Sequence, residues 1–318
     1  MSEATVNTKR PDGSNRVVIT GMGAITPAGV GVEALWEAVM GRECCIRPIE
    51  RFDTTDYEVH NAGEICGFDA TEHGLTKKES RRFERFVQYA IVASDEAIAQ
   101  AGLSMEDEDP SRVSVVFGSG IGGIDELESG FKTLFEKGPK RVSPLFVPTM
   151  IGNIAAGNLA IRYGMKGECI NVVTACATGA HCIGQAVRDI RHGYTDVALA
   201  GGAEDSVNPI CIAGFANLGA LSREEDPLRA SRPFDLNREG FVAGEGAGAV
   251  EAIVTALSVA NDCVPPTAGF ETPDPEAPAN VLTEPLENYK QKVALSNSLG
   301  FGGHNACLAI SPYEVVAE

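Results

Sequence analysis

The sequence predicts an α/β protein, with helices laid over a largely parallel sheet. Three observations carry this. Short apolar runs that end near glycine recur along the first 250 of the 318 residues. Helical stretches, with apolar residues every three or four positions, separate them. No apolar run approaches the roughly 18 residues of a membrane span, so the apolar positions belong to a globular core.

Residues 1–15 are polar, lack a signal-peptide core and read as a disordered tail. Arg16–Thr20 reads as a buried strand closed by the Gly21-Met-Gly23 turn. A helix is expected over Glu33–Met40, followed by a loop region holding Pro48, Asp53 and Gly63. Lys77–Ala101 is expected as one long helix, because Phe83, Phe86, Val87, Ala90, Ile91 and Ala97 recur at helical spacing, and Gly102 stops it. Val113–Phe117 is a second buried strand, Ile151–Ile161 a helix and Cys169–Val173 a third strand. Thr178–Arg191 reads as a helix stopped by Gly193, and Asp196–Ala200 as a fourth strand. Phe241–Val250 is glycine-rich and reads as a strand or hairpin, and Glu251–Ala260 as a helix. A proline-rich loop spans Pro265–Pro285, and two strand-like runs, Val293–Ser296 and Ala306–Ile310, flank Gly300–Gly303.

The 26 Lys and Arg against 44 Asp and Glu leave a net charge of −18. A chain this acidic repels phosphate backbones, so nucleic acid is not an expected partner, nor is a membrane. Against that background Lys77, Lys78, Arg81, Arg82 and Arg85 stand out, as do Lys137, Lys140 and Arg141. These are either solvated faces or a dock for an acidic partner. Nine cysteines are scattered without a CxxC pair or zinc spacing. The expectation is a reduced, cytoplasmic, metal-free chain.

The sharpest feature is Val172-Val-Thr-Ala-Cys-Ala-Thr-Gly-Ala180. It places Cys176 where a strand turns into a helix, as at a nucleophile elbow. Helix N–H groups there stabilise a thiolate, and the small neighbours Ala175, Ala177 and Gly179 admit a substrate carbonyl. The same spacing also fits a buried structural cysteine. Among the five histidines, His60 and His73 carry no motif. His181 lies about 140° round the helix from Cys176, and His192 sits at a helix end. His304 lies in a glycine loop, but no spacing links it to Cys176. Gly118-Ser-Gly-Ile-Gly-Gly123 fits a dinucleotide fingerprint, yet Gly130 interrupts the helix expected after it. Backbone packing is the alternative use of these glycines.

Taken with further segments, the cysteine motif resembles the active-site motif of the beta-ketoacyl-acyl carrier protein synthases. Those segments are Val17–Gly23 with Thr26-Pro27, Phe146–Pro148, Ala200–Glu204, Ser231–Asp235, Gly240 with Gly244–Gly248, Val264–Thr267 and Asn297–Asn305. The pattern is most similar to the chain-elongating synthases II of bacterial fatty acid synthesis. The resemblance implies a thiolase-like fold, layered αβαβα, usually a homodimer and without a cofactor. Residues 16–250 would form the N-terminal half and 251–318 a remnant of the C-terminal half, so the second half is incomplete. Cys176 would take an acyl group from acyl carrier protein, and the carbanion of malonyl thioester would attack it. Backbone N–H groups of Cys176 and Phe301 would bind the oxyanion, with Phe301 as gate and Gly302 and Gly303 beside the substrate. Phe215 would line the acyl tunnel, and Lys78, Arg81 and Arg82 would dock the carrier.

One departure bears on the chemistry. The family's two catalytic histidines and lysine lie in HGT and KSxxGH motifs, and neither string occurs here. Gly246–Val250 runs straight into Glu251–Ala256. Roughly one hundred residues, most of a small domain, are absent at that junction. Loss of one oxyanion donor costs on the order of 10²–10³ in rate, so slow condensation with surviving cysteine acylation is expected. The alternatives are a non-catalytic partner subunit or truncated homologue and, on the glycine motif alone, a dinucleotide oxidoreductase.

Overall fold

A computed structural model describes residues 8–277 and 280–313. Its strands are β1 (Ile25–Thr26), β2 (Gly29–Val30), β3 (Arg47–Pro48), β4 (Asn61–Ala62), β5 (Val113–Gly118), β6 (Cys169–Ile170), β7 (Val197–Glu204), β8 (Gly246–Gly248), β9 (Ala294–Gly300) and β10 (His304–Ile310). Its α-helices are α1 (Val32–Gly41), α2 (Lys77–Arg82), α3 (Arg85–Ala101), α4 (Ile124–Lys137), α5 (Phe146–Met150), α6 (Ile154–Tyr163), α7 (Thr178–His192), α8 (Pro209–Asn217), α9 (Pro227–Ala230) and α10 (Val250–Ala260).

The main sheet has the order β2-β1-β8-β7-β5-β6. β5 runs parallel to β6 and β7, while β8 is antiparallel to β7 and β1. The sheet is therefore mixed rather than largely parallel. Helical crossovers keep β5, β6 and β7 in one direction, and the long connection before β8 brings the chain back reversed.

β5 is buried along its whole length, and its alternation sorts two helical layers. Val113, Val115 and Phe117 face α3 and α6, while Val116 packs with Cys182 and Ala186 of α7. Phe86, Val87 and Tyr89 of α3 are almost fully enclosed in the first layer. Burial of Phe86 contributes roughly 1.5–3 kcal/mol. Gly23 is needed where the chain crosses α3: a Cβ there would fall 1.8 Å from the Ala93 carbonyl oxygen.

Several expectations need correction. Lys77–Ala101 is two helices, because Phe83 and Glu84 are extended, with ψ of 135° and 155°. Gln88 Nε2 donates to the carbonyls of Ser80 and Phe83 and so occupies acceptors left at the end of α2. Phe83 still packs on the core that holds Phe86, so the apolar period does not register the break. Arg85 consequently turns inward, away from the other cations of the run, and donates to Tyr89 Oη and the Ile65 carbonyl.

Arg16–Thr20 is not a strand; Val18 is 49% and Ile19 54% exposed. In the main sheet, pairing starts only at Ile25, opposite Ala247. β8 stops at Gly248 and the chain enters α10 at Val250, so among the described residues no strand lies beside 16–20. Only Gly246–Gly248 of the glycine-rich segment and Cys169–Ile170 of the third strand join the sheet, while Phe241 and Gly244 make single bridges to Leu221 and Gly63. β6 is the edge of the sheet, which leaves Asn171–Val173 without a ladder on the outer side. Helix α6 starts at Ile154, three residues later than expected, and β7 continues to Glu204.

The tail is docked from residue 8: Lys9 pairs with Asn15, and Asn15 Nδ2 donates to the Ile190 carbonyl at 2.7 Å. The rest of the predicted disordered tail, residues 1–7, lies outside the described residues. Helix α4 is continuous through Gly130, whose missing Cβ makes room for the Phe146 ring. β9 and β10 pair with each other in a separate hairpin against α7 and α10. Leu295 and Leu299 on this hairpin are 60% and 72% exposed.

Candidate active site

Cys176 sits on a sharp turn between Val173 and α7. Ala175, just before it, has φ of 50°, a left-handed conformation that costs an alanine roughly 1–2 kcal/mol. Local bonds hold the turn: the Ala177 amide donates to the Thr174 carbonyl at 3.1 Å, and the Thr178 amide to the Ala175 carbonyl at 3.0 Å. The Thr174 amide donates to Thr178 Oγ1 at 2.9 Å. Cys176 is exposed, whereas Cys182, about one turn into α7, is buried. The structural-cysteine reading therefore belongs to Cys182, whose thiol burial pushes up to about 11. No side chain caps the start of α7. The positive end of the helix dipole is thus left to act near Cys176.

The glycine loop of the β9–β10 hairpin lies against this turn. A Cβ on Gly300 would come within 2.7 Å of the Thr174 carbonyl oxygen. Gly302 and Gly303 take φ of 88° and 81°, which glycine tolerates without penalty. Phe301 is half-exposed and stacks on Phe215, with ring centroids 6.3 Å apart. Phe241 completes the cluster, 5.7 Å from Phe215 and 6.2 Å from Phe301. The structure thus brings Cys176, Phe215 and Phe301–Gly303 into one neighbourhood. Phe241 lies in the segment whose sequence reads as a strand or hairpin, which does not single it out. A lone aromatic residue ahead of six glycines and alanines is the one local signal for it.

The Gly118–Gly123 loop packs on the other side of the turn. A Cβ on Gly118 would lie 2.3 Å from Thr178 Cγ2. Glu204 closes this loop: its carboxylate accepts from the amides of Gly120 at 2.8 Å and Ile121 at 3.2 Å and from Ser119 Oγ at 3.1 Å. Burial pushes the Glu204 carboxyl up to about 7, against the pull of those three donors. The helix missing from the sequence reading is present as α4. Yet a side-chain anion already occupies the amides that a dinucleotide phosphate would use.

The histidines fall elsewhere. His181 braces the turn from behind, with Nδ1 2.9 Å from Thr174 Oγ1 and 3.2 Å from the Ala177 carbonyl. His60 approaches Thr54, His73 stacks on Phe68, and His192 contacts the Arg188 carbonyl. His304 opens β10 and is exposed. Among the described residues no histidine hydrogen-bonds Cys176. Lys78, Arg81 and Arg82 are exposed on α2 and make no ion pair among the described residues. The Thr76–Glu79 capping box holds that short helix.

Residues 14–251 match the family described as beta-ketoacyl synthase, N-terminal domain. The chain is 46% identical over 234 residues to 3-oxoacyl-acyl-carrier-protein synthase 2 of Vibrio cholerae, a stretch covering 73% of this chain and 56% of that protein. It is 33% identical to the synthase 2 of Synechocystis over 410 aligned positions, covering 94% of this chain and 98% of the relative. With 318 residues here, at least 92 of those positions have no counterpart. A type II polyketide ketosynthase solved with its acyl-carrier protein shares the fold, with a TM-score of 0.84 and 21% identity over 94% of this chain and 100% of that one. A beta-ketoacyl synthase from Burkholderia phymatum does so at 0.84 and 22%, with the same coverage. The likeness to these two structures establishes a thiolase-like α/β fold.

Proposed function

The chain belongs to the beta-ketoacyl synthase family, and on that premise we propose that it is a fatty acid condensing-enzyme chain that takes acyl groups from acyl carrier protein onto Cys176. The observation that carries this is the exposed Cys176 on a strained turn at the start of α7, with the Gly300–Gly303 loop packed against that turn. A thiol so placed can attack a thioester carbonyl; the thiolate of the carrier leaves, and the proton passes to it. The Cys176 and Phe301 amides serve as oxyanion donors, Gly302 and Gly303 leave room for the substrate, and Phe215 guides the acyl chain. The basic face of α2, with Lys78, Arg81 and Arg82, meets the acidic carrier.

The second step, decarboxylation of malonyl-carrier and attack on the acyl-cysteine, runs slowly in this chain. Neither an HGT nor a KSxxGH string is present, and His60, His73, His181 and His192 contact other groups. Residues 16–250 act as the nucleophile half and 251–318 as a remnant of the second. The 92 or more unmatched positions and the isolated, exposed β9–β10 hairpin support that division. A non-catalytic partner for an intact synthase is the second reading, favoured by the same missing histidines. The free edge of β6 and the half-exposed Val173 beside it suit pairing with a second copy, giving a homodimer. No described helix is long and apolar enough to cross a membrane, which fits a cytoplasmic site of action.

Mass spectrometry after incubation with acyl-carrier protein tests the reading. One acyl adduct on Cys176, absent in Cys176→Ala, is the expected result. No adduct on the folded chain defeats acyl transfer and leaves the partner reading. Product from malonyl-carrier at a rate typical of synthases would overturn slow condensation.

A further inference from the structure

The antiparallel register of β7 and β8 sets two acidic side chains face to face. The last ladder pairs are Ala203–Ala247 and Glu204–Gly246, and one step further the same register brings Asp205 opposite Glu245. Like charges at directly opposed positions repel. Water does not screen these two: the side chain of Asp205 is 3% exposed and that of Glu245 is 0% exposed. Two carboxylates enclosed together cannot both stay charged without compensation.

The hydrogen bonds leave one oxygen over. Asp205 Oδ1 accepts from Arg51 Nη1 at 2.6 Å. Glu245 Oε2 accepts from Arg51 Nη2 at 2.8 Å, and Oε1 from the Ile65 amide at 2.6 Å. Asp205 Oδ2 is sealed from solvent and has no donor. Arg85 Nε stops 3.9 Å short of it, outside hydrogen-bond range. The Asp205 and Glu245 carboxyl groups do lie within hydrogen-bonding reach of each other. Ionised carboxylates only accept, so a bond between them requires a proton.

The surrounding charges do not remove that requirement. Arg51 and Arg85 are the cations here. Besides Asp205 and Glu245, Arg51 faces Glu64 at 3.8 Å and Asp125 of α4 at 4.0 Å. Glu84, ahead of α3, keeps an oxygen within 4.8 Å of oxygens of Asp205 and Asp125, and Glu204 precedes Asp205 on β7. Acidic groups therefore outnumber the two guanidinium groups. Tyr89 of α3, Cys66 after β4 and Cys211 of α8 also face the pair, and burial pushes all three up, so they stay neutral.

We propose that Asp205 and Glu245 share one proton, held between Asp205 Oδ2 and the Glu245 carboxyl, as a pH-sensitive tie where β7 meets β8. The proton satisfies the orphaned oxygen and leaves the pair with one negative charge against Arg51. Burial, with Asp205 beside it, pushes the Glu245 carboxyl well above the usual glutamate range, in the same direction. In the unfolded chain the two carboxyls titrate separately, near 3.9 and 4.3. A raised folded value means the stabilisation is complete below about pH 4 and is lost as pH rises through that folded value. Glu204, which closes the Gly120 loop, is the residue before Asp205, so the tie lies next to the support of the Cys176 turn.

Urea denaturation of the full chain at pH values from about 5 to about 9 tests this, with Glu245→Gln and Asp205→Asn as variants. Each amide supplies the donor that the proton supplies and does not titrate. The folding equilibrium constant of the wild type, relative to either variant, should fall as pH rises, by up to about tenfold per pH unit, the limit for one proton. Glu33→Gln, at an exposed carboxylate on α1, should hold a constant ratio to the wild type. A ratio that stays constant or rises with pH, against whichever of the two variants folds, overturns the proposal. Failure of both variants to fold by circular dichroism also overturns it, because a donor from either side should serve in place of the proton.

Discussion

The Glu204 carboxylate accepts a 2.8 Å hydrogen bond from the Gly120 amide, tying the end of β7 to the loop after β5. Gly120 in turn lies close to Ala175, since a Cβ on it would be 3.5 Å from the Ala175 carbonyl oxygen. Glu204 therefore supports the turn that carries Cys176 through one intermediate. Glu204→Ala leaves the Gly120 and Ile121 amides and Ser119 Oγ without their acceptor. A loss of about 1–3 kcal/mol in stability is expected, read by urea denaturation, together with slower acylation of Cys176. Unchanged stability would show that water replaces the carboxylate.

Thiol reactivity should separate two cysteines six residues apart. Cys176 is exposed, while burial pushes the Cys182 thiol up to about 11. At pH 8 roughly one thousandth of Cys182 is thiolate, and that fraction is enclosed. Iodoacetamide should alkylate Cys176 in the native chain and reach Cys182 only after unfolding. Peptide mass spectrometry against time checks this.

Charge reversal on α2 tests the carrier dock. Arg81 and Arg82 are exposed and make no ion pair among the described residues, so Arg81→Glu with Arg82→Glu should leave the melting temperature close to wild type. Affinity for an acidic carrier should fall by about tenfold or more, with a weaker salt dependence. Equal affinity across salt concentrations would place the dock elsewhere.

Asp235 makes stability depend on acid. The backbone amides of Thr272, Asn237 and Glu271 donate to its carboxylate and hold it at about 2. In the unfolded chain an aspartate titrates near 3.9. A lowered folded value means the stabilisation is complete above about pH 4 and is lost as pH falls towards 2. Denaturation midpoints between pH 5 and 2 should fall less steeply in Asp235→Asn than in the wild type. The variant should also be the less stable of the two at pH 7.

Much of this was legible in the chain itself. The strand Val113–Phe117, the helix Thr178–Arg191 and the stops at Gly102 and Gly193 are local events: a run of β-branched residues, an apolar period, a residue free to take positive φ. The turn at Cys176 is local too, built from small residues within five positions. Arg16–Thr20 failed for the opposite reason. Its apolar run is genuine, but a strand needs a neighbour, and the chain enters α10 where that neighbour would continue.

Sequence by itself therefore determined the family, the turn that carries Cys176 and the basic run of α2, because each rests on residues close together along the chain. Only the tertiary structure decided that Arg85 leaves the basic face, that Glu204 fills the glycine loop and that Phe241 joins Phe215 and Phe301. It alone brought Glu84, Asp125 and Asp205 together from three separate elements. Apart from those of Arg85, these are contacts between residues 26 to 121 positions apart, whose energies depend on burial and on distances of a few ångströms. No spacing rule along a sequence encodes such distances.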